Sequence, residues 1–215
     1  MTLLAVVVAS VAAIGTAHLV AYYRGWPLAA GALKAVPIAL LAGMVLAIAP
    51  PERQLYATLI ATGLVCSAVG DICLLRAAWF GPGVASFALA HGCYLSAFAG
   101  AGPPIAPALG WLLALLAIAG LLGGVLWPYL VGWRRPAVVG YIAIITLMAW
   151  TAVSRASTAG IDSTSGLAAA GGALLFMASD ALLALDRFRR RIPGAHAGVM
   201  TIYYAAQTAI AASVV

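Results

Sequence analysis

The chain of 215 residues is unusually apolar, since 65% of its residues are hydrophobic and only 16 are charged. A soluble domain carries about 25% charged residues, which would be about 54 here. The composition therefore excludes a soluble globular protein and a disordered chain. The formal net charge of +6 does not indicate nucleic-acid binding, because too little polar surface exists for such a module and charge has to be interpreted by its placement. The composition predicts an all-α, polytopic membrane protein.

Long apolar runs, separated by charges, prolines and glycines, divide the chain into eight predicted helices. A membrane-spanning helix needs about 20 apolar residues. Runs of about that length cover residues 3–23, 28–49, 55–76, 80–101, 106–131, 136–155, 165–186 and 195–215. Because the connections are only a few residues long, we expect one domain over residues 1–215, a bundle of eight transmembrane helices.

The basic residues are distributed unevenly between the two sides of this predicted bundle. Eight arginines fall in or beside odd-numbered connections, namely Arg24, Arg76, Arg134, Arg135, Arg187, Arg189, Arg190 and Arg191. The opposite side has only Arg53 and Arg155. Since cytoplasmic loops are enriched in Lys and Arg, we expect the odd-numbered connections in the cytoplasm and both termini outside. We interpret the run 187–191 as a topology determinant.

Two aspartates lie within predicted spans rather than at their ends. Asp71 and Asp180 are each about one and a half turns inside the cytoplasmic end of a helix, roughly 8–9 Å deep at 1.5 Å per residue. Inserting an aspartate at the centre of a span costs about 3 kcal/mol, and an intramembrane acid is a functional candidate by default. The alternative is an acid that pairs with a basic residue only to hold helices together.

Other polar residues lie at a similar depth on further helices. They are Lys34, below the helix-breaking Pro37, and Ser86, His91, Tyr141, Tyr203 and Gln207. Each has an ordinary alternative role, such as a lysine that reaches the surface or a serine that bonds its own helix. Together they predict a polar cavity in the cytoplasmic half, open to the inner leaflet or the cytoplasm. The outer half is expected to be almost bare of such groups.

A metal site is not expected. His18, His91 and His196 all fall in the inner half, and with either aspartate they could in principle bind zinc. They lie on separate helices, however, and the chain has no HxxxH or HExxH pair. We therefore predict neither a metal nor a cofactor.

The sequence resembles the YhhN-type lysoplasmalogenase family of membrane proteins. The resemblance rests on residues in the expected order: Lys34 with Pro37, Gly70-Asp71, Leu74-Leu75, Phe80 with Gly83, Ser86-Phe87, Ala90-His91, Tyr94, Tyr141 with Met148, Gly172-Ala173, Phe176, Ser179-Asp180, Leu183, Arg187-Phe188, Tyr203 and Ala206-Gln207. It implies an eight-helix bundle in a membrane, expected to be the bacterial cytoplasmic membrane. It also implies hydrolysis of the vinyl ether bond of lysoplasmalogen, or of a related lysophospholipid, to a fatty aldehyde and a glycerophospho-ethanolamine or -choline.

Vinyl ethers are cleaved by acid, which suggests roles for the intramembrane residues. A proton adds to the β-carbon, an oxocarbenium ion forms, and water adds to give a hemiacetal that collapses. Two carboxyl groups in different environments supply an acid and a base, so Asp71 and Asp180 are the predicted catalytic pair, with the donor left open. Lys34 is the candidate for the substrate phosphate. The other predicted substrate-site residues are Ser86, His91, Tyr141, Tyr203 and Gln207.

Three other classes of function remain open from the sequence. A proton-coupled or small-molecule transporter would also place acids and a lysine in the membrane. A metal-dependent lipid hydrolase of the alkaline-ceramidase kind would need paired histidines. A structural or lipid-sensing protein would use the buried acids for stability alone.

Overall fold

The computed structural model describes residues 3–100, 107–157 and 163–215, and within these ranges every regular element is helical. The helices are α1 (Leu3–Tyr23), α2 (Pro27–Lys34), α3 (Val36–Ile48), α4 (Gln54–Cys73), α5 (Phe80–Ala99), α6 (Pro107–Leu126), α7 (Arg134–Ala156), α8 (Ser163–Ala184) and α9 (Ala195–Ala212). A π-helical turn, Leu185–Arg189, extends α8. The all-α prediction is confirmed.

Six helices of the described residues are long and apolar enough to cross a membrane. They are α1, the pair α2–α3, α4, α6, α7, and α8 with its π-turn. Helices α5 and α9 are not among the six, so the eight-span count and the orientation of the termini stay predictions. Most of the predicted helix ends agree with the observed ends to within a few residues, and those at 101 and 106 lie outside the described residues.

The predicted span 28–49 is broken into α2 and α3 at Ala35. Pro37 is the cause, because proline lacks the N–H that an uninterrupted helix needs and its ring clashes with the carbonyl four residues earlier. Tyr204 of α9 donates a hydrogen bond to the carbonyl of Lys34 at this break, over 2.9 Å. The break thereby fixes the end of α2, from which the Lys34 side chain projects.

The helices form a closed ring with one helix outside it. Going around the ring, α1 packs on α3, α3 on α4, α4 on α5, α5 on α7, α7 on α8, α8 on α9, and α9 returns to α1. Helix α6 packs against α7 on the outside. Close approach of α8 and α9 depends on Gly172, where a Cβ would lie 2.9 Å from two backbone atoms of α9. The ring encloses the buried aromatic side chains on which the site is built.

Aromatic side chains fill the middle of the bundle. Phe176 of α8 packs edge-on against Tyr203 of α9 and His91 of α5, with ring centroids 5.4 and 4.7 Å apart. Phe87 packs edge-on against Tyr203 at 6.0 Å. This aromatic cluster is almost fully buried, and two of its members, His91 and Tyr203, also contact the acidic side chains described below.

The half of the bundle that was expected to be almost free of polar side chains contains a polar cluster. The guanidinium of Arg155 lies 4.3 Å from the ring centroid of Tyr56, and Tyr56 hydrogen-bonds Ser213 at 2.7 Å. Arg155 is only 8% exposed, whereas its position at the end of a span suggested a loop charge. The expectation was wrong here because the amphipathic arginine folds onto a neighbouring helix.

Candidate active site

Asp71 of α4 and Asp180 of α8 line one cavity of about 480 Å³. The helix ends around it supply the rest of the wall, including Lys34 from α2, Phe87 from α5 and Tyr203 from α9. The cavity extends to the end of the bundle at which the α1–α2 and α8–α9 connections lie, because these connections contribute to its lining. Side chains that are distant in sequence therefore meet at one end of the bundle.

Asp71 is buried and both of its carboxyl oxygens are engaged. Lys34 Nζ lies 3.2 Å from Oδ1, and the Tyr203 hydroxyl donates to Oδ2 over 2.8 Å. The side chains of Lys34 and Asp71 are 12% and 3% exposed. A buried charge is tolerated when it is paired and hydrogen-bonded, so Lys34 is occupied by Asp71 in a buried ion pair.

Asp180 has a different set of partners and more access to the cavity. Tyr141 of α7 donates to Asp180 Oδ2 over 2.6 Å, and His91 Nε2 lies 2.9 Å from the Tyr141 oxygen and 3.4 Å from Oδ2. The Asp180 side chain is 16% exposed. Its second oxygen, Oδ1, has no hydrogen-bond partner in the part of the chain that the structure describes. This oxygen is the one carboxyl oxygen of the pair that is free to meet a substrate.

Among the described residues, the hydrogen bonds of His91 involve only one of its two ring nitrogens. Tyr141 uses its own proton to bond Asp180, so His91 Nε2 must carry a proton and donate to the Tyr141 oxygen. His91 is fully buried, and its Nδ1 has no partner among the described residues. The Nε2 contacts therefore link His91 to Asp180 both directly and through Tyr141.

A second, smaller cavity of about 100 Å³ adjoins the first and is almost wholly apolar. It runs between α5, α6, α7 and α8 and is lined by side chains such as Val84, Leu122 and Ile145. The two linings share five side chains: Leu74, Phe87, Asp180, Leu183 and Arg187. Asp180 thus lies where a polar cavity meets an apolar one, the arrangement expected of a site for an amphiphile.

Comparison with known proteins decides the family. Residues 29–214 match the YhhN family. The chain belongs to the YhhN family. Human lysoplasmalogenase TMEM86B is 39% identical over 184 residues, which cover 86% of this chain and 74% of the relative. Bovine lysoplasmalogenase TMEM86A is 40% identical over 162 residues, 74% of this chain and 66% of the relative.

A third relative, mouse lysoplasmalogenase TMEM86B, is 35% identical over 175 residues, covering 81% of this chain and 70% of the relative. No solved structure matches the chain. The resemblance drawn from individual residues is confirmed. The matched range contains all eight residues predicted for the site, and it begins before Lys34 and ends after Gln207.

Of the eight residues predicted for the site, three line neither cavity: Ser86, Gln207 and His91. Ser86 donates to the carbonyl of Cys66 over 2.7 Å, and Gln207 accepts from the Tyr94 hydroxyl over 2.8 Å. Neither Ser86 nor Gln207 lines either cavity. Lys34, Asp71, Tyr203 and Asp180 line the larger cavity, and Tyr141 lines the smaller one. His91 touches the site only through Tyr141 and Asp180.

Two histidines pair at the cavity wall, away from the third. His18 Nε2 lies 3.3 Å from His196 Nε2, and His18 Nδ1 lies 2.9 Å from the carbonyl of Ala30. The Tyr22 ring stacks on His196 at 3.6 Å. Within residues 3–100, 107–157 and 163–215, no three His, Cys, Asp or Glu side chains come together as a metal site would require.

Arg187 is the main cavity residue that the sequence argument missed. It was interpreted as one of a run of topology determinants, yet it lines both cavities. The signal that could have found it is its spacing of seven residues from Asp180, since residues seven apart lie on the same face of a helix.

Proposed function

We propose that the protein is a membrane-embedded hydrolase that cleaves the vinyl ether bond of lysoplasmalogen to a fatty aldehyde and a glycerophospho-ethanolamine or -choline. The observation that carries the proposal is the position of Asp180, which lines both the polar cavity and the apolar one and is held by its described partners through Oδ2 alone. A vinyl ether lysolipid has its reactive bond at the same boundary, between a polar glycerophosphate and an apolar chain. The names of the relatives, lysoplasmalogenases of about 40% identity, support the same activity.

Asp180 is the proposed proton donor. Both oxygens of Asp71 are engaged, by Lys34 and Tyr203, whereas Tyr141 and His91 hold Asp180 through Oδ2 alone. Asp180 is also the more accessible of the two carboxyls, at 16% against 3%. Asp180 is therefore the carboxyl placed to present a proton to substrate, with Asp71 held beside it in the ion pair with Lys34.

The proposed reaction begins with transfer of the Asp180 proton to the β-carbon of the vinyl ether, which forms a C–H bond and leaves an oxocarbenium ion. The negative charge on Asp180 and Asp71 stabilises this cation. Water then adds to the α-carbon and gives its proton to the Asp180 carboxylate. The hemiacetal then loses its hydroxyl proton while the glyceryl oxygen gains a proton, and the bond between the α-carbon and the glyceryl oxygen breaks. The fatty aldehyde and the glycerol derivative leave, and one water has been consumed.

Tyr141 and His91 are proposed to position Asp180. The Tyr141 hydroxyl holds Oδ2 at 2.6 Å, which turns Oδ1 toward the cavity and supports Oδ2 when the group becomes an anion. The aromatic wall of Phe87, Phe176 and Tyr203 limits bulk water, so that the carboxylate keeps its strength as an electrostatic group.

The finer topology is part of the same proposal. Eight spans in the cytoplasmic membrane, with both termini outside, would put the polar cavity in the cytoplasmic half and its mouth among the arginines. The excess of arginine on that side supports this orientation. The substrate would enter sideways from the inner leaflet, with its chain in the apolar cavity.

The test is turnover by the purified protein in neutral detergent. We expect release of fatty aldehyde from a lysoplasmenylethanolamine, and none from the saturated 1-O-alkyl analogue, which has no double bond to protonate. Asp180→Asn should lower kcat by at least about 10²-fold, and Glu52→Gln, an exposed acid in a connection, should leave it unchanged. Cleavage of the saturated ether, or full turnover by Asp180→Asn, would contradict the mechanism.

A further inference from the structure

Arg187 differs from its neighbours in the basic run. It is exposed, lines both cavities and has no carboxylate within ion-pair distance among the described residues. Arg191, by contrast, is paired with Asp186 at 3.1 Å. The Arg187 guanidinium lies 3.9 Å from the ring centroid of Phe80. Stacking of this kind holds the planar group in place and leaves its N–H edge available.

The electrostatic surroundings of Arg187 are unbalanced. The charges of Arg134 and Arg191 are close enough to repel it. The other two cations of the larger cavity wall are both paired, Lys34 with Asp71 at 3.2 Å and Arg191 with Asp186 at 3.1 Å. An arginine without a counter-ion at the meeting point of a polar and an apolar cavity is a site for an anion, and a guanidinium edge suits phosphate because it can donate two parallel hydrogen bonds.

The spacing between Asp180 and Arg187 fits the proposed substrate. Asp180 lies in α8 and Arg187 in the π-turn that extends it, so their backbones are about 10 Å apart along the axis. The arginine is the longer side chain and leans back toward the N-terminus, which brings the two functional groups closer together. In a lysoplasmalogen, seven bonds separate the β-carbon of the vinyl ether from phosphorus. An extended chain advances about 1.2 Å per bond, or roughly 8.5 Å in all. One substrate can therefore reach both side chains.

We propose that Arg187 binds the phosphate of the lysolipid substrate and so sets the position of the vinyl ether bond beside Asp180. This assignment rests on the proposed function. It replaces Lys34, the residue chosen from the sequence, as the phosphate ligand. Phosphate binding at Arg187 makes the protein selective for phospholipids over neutral alkenylglycerols. It also holds the substrate at a single position along the two cavities.

The first experiment compares two substrates in neutral detergent without anionic lipid, which removes bilayer phosphate as the ligand. For Arg187→Gln, we expect kcat/KM for lysoplasmenylethanolamine to fall about 10- to 100-fold, the effect of losing a hydrogen-bonded charge contact, mainly through KM. For 1-O-alkenylglycerol, which has no phosphate, kcat/KM should stay within about threefold. Arg187→Lys should recover part of the loss, since it restores charge without the fork.

The matched control is Arg190→Gln, which removes an exposed arginine that lines neither cavity and should leave both substrates unaffected. Equal losses on both substrates would assign Arg187 a structural role and overturn the proposal. So would an effect that appears only in vesicles containing anionic lipid, because it would assign Arg187 to the bilayer.

A binding measurement separates this proposal from the proposed activity. The saturated 1-O-alkyl lysophosphatidylethanolamine binds without being cleaved, so its Kd can be measured whether or not the wild-type protein turns over a vinyl ether. A Kd at least about tenfold higher for Arg187→Gln than for wild type and Arg190→Gln supports the phosphate site. An unchanged Kd overturns it even if hydrolysis is observed.

Discussion

The Lys34–Asp71 ion pair predicts that one substitution is harmful and that a second one repairs it. Lys34→Met leaves the carboxylate of Asp71, 3% exposed, without its cation. At the observed separation of 3.2 Å, the Coulomb energy with an effective dielectric constant of 20 is about 5 kcal/mol. Removing one partner of a buried pair costs about 3–5 kcal/mol. We expect a loss of stability of that size.

The double variant Lys34→Met, Asp71→Asn removes both charges. The new amide can still accept from Tyr203, so no buried charge is left unpaired. Replacing a whole buried ion pair is often neutral or stabilising, so we expect the stability to return to within about 1 kcal/mol of wild type. In the proposed reaction Asp71 is an anion beside the developing cation, so kcat should stay low in the double variant although the fold is restored.

The assay is thermal unfolding in detergent, together with turnover. A loss of 3–5 kcal/mol corresponds to a Tm lower by roughly 6–20 °C for a chain of this size. Arg24→Met, which removes an exposed basic side chain, is the control and should unfold at the wild-type temperature. If Lys34→Met kept the wild-type Tm and only raised KM, Lys34 would be the phosphate ligand predicted from the sequence, and the argument from the ion pair would be refuted.

Three further predictions follow from single contacts. Tyr141→Phe removes the hydroxyl that donates to Asp180 and should lower kcat about tenfold with little change in KM; an unchanged kcat would exclude a positioning role. Gly172→Ala places a Cβ 2.9 Å from the α9 backbone and should destabilise the fold by about 1–3 kcal/mol. Gly171→Ala meets open space and should leave the stability unchanged, so thermal unfolding of the two variants tests the close approach of α8 and α9. Ala181→Phe fills much of the apolar cavity of about 100 Å³ and should shift kcat/KM toward shorter alkenyl chains; an unchanged chain-length profile would place the chain elsewhere.

The depth of the site residues could be predicted from the sequence, but the direction in which they point could not. Counting from helix ends placed Lys34, Asp71, Asp180 and Tyr203 in one layer, and they line one cavity. In a soluble helix a polar face marks the side that meets water. These helices are apolar on all sides, so no pattern of residue types indicates that Gln207 turns toward Tyr94 and away from the cavity.

The sequence also does not show which side chain contacts which group on a neighbouring helix. Pro37 indicated a kink, but only the structure shows that Tyr204 bonds the carbonyl at the break. Arg155 was counted as a loop charge because its position at a helix end is the same whether the side chain points to water or folds back onto Tyr56. A pattern of residue types records neither the rotation of a helix nor the path of a long side chain.

The charges around the two cavities are arranged for an anionic substrate with a cationic transition state. Positive charge without a carboxylate partner among the described residues lies at Arg187, while Lys34 is engaged in an ion pair with Asp71 at 3.2 Å. The carboxyl groups lie where the oxocarbenium ion forms in the proposed reaction, so their attraction for substrate grows as the proton is transferred. An interaction that strengthens only in the transition state raises kcat, whereas one present from the start lowers KM. Substitution of Asp71 or Asp180 should therefore lower kcat, whereas substitution of Arg187 should raise KM.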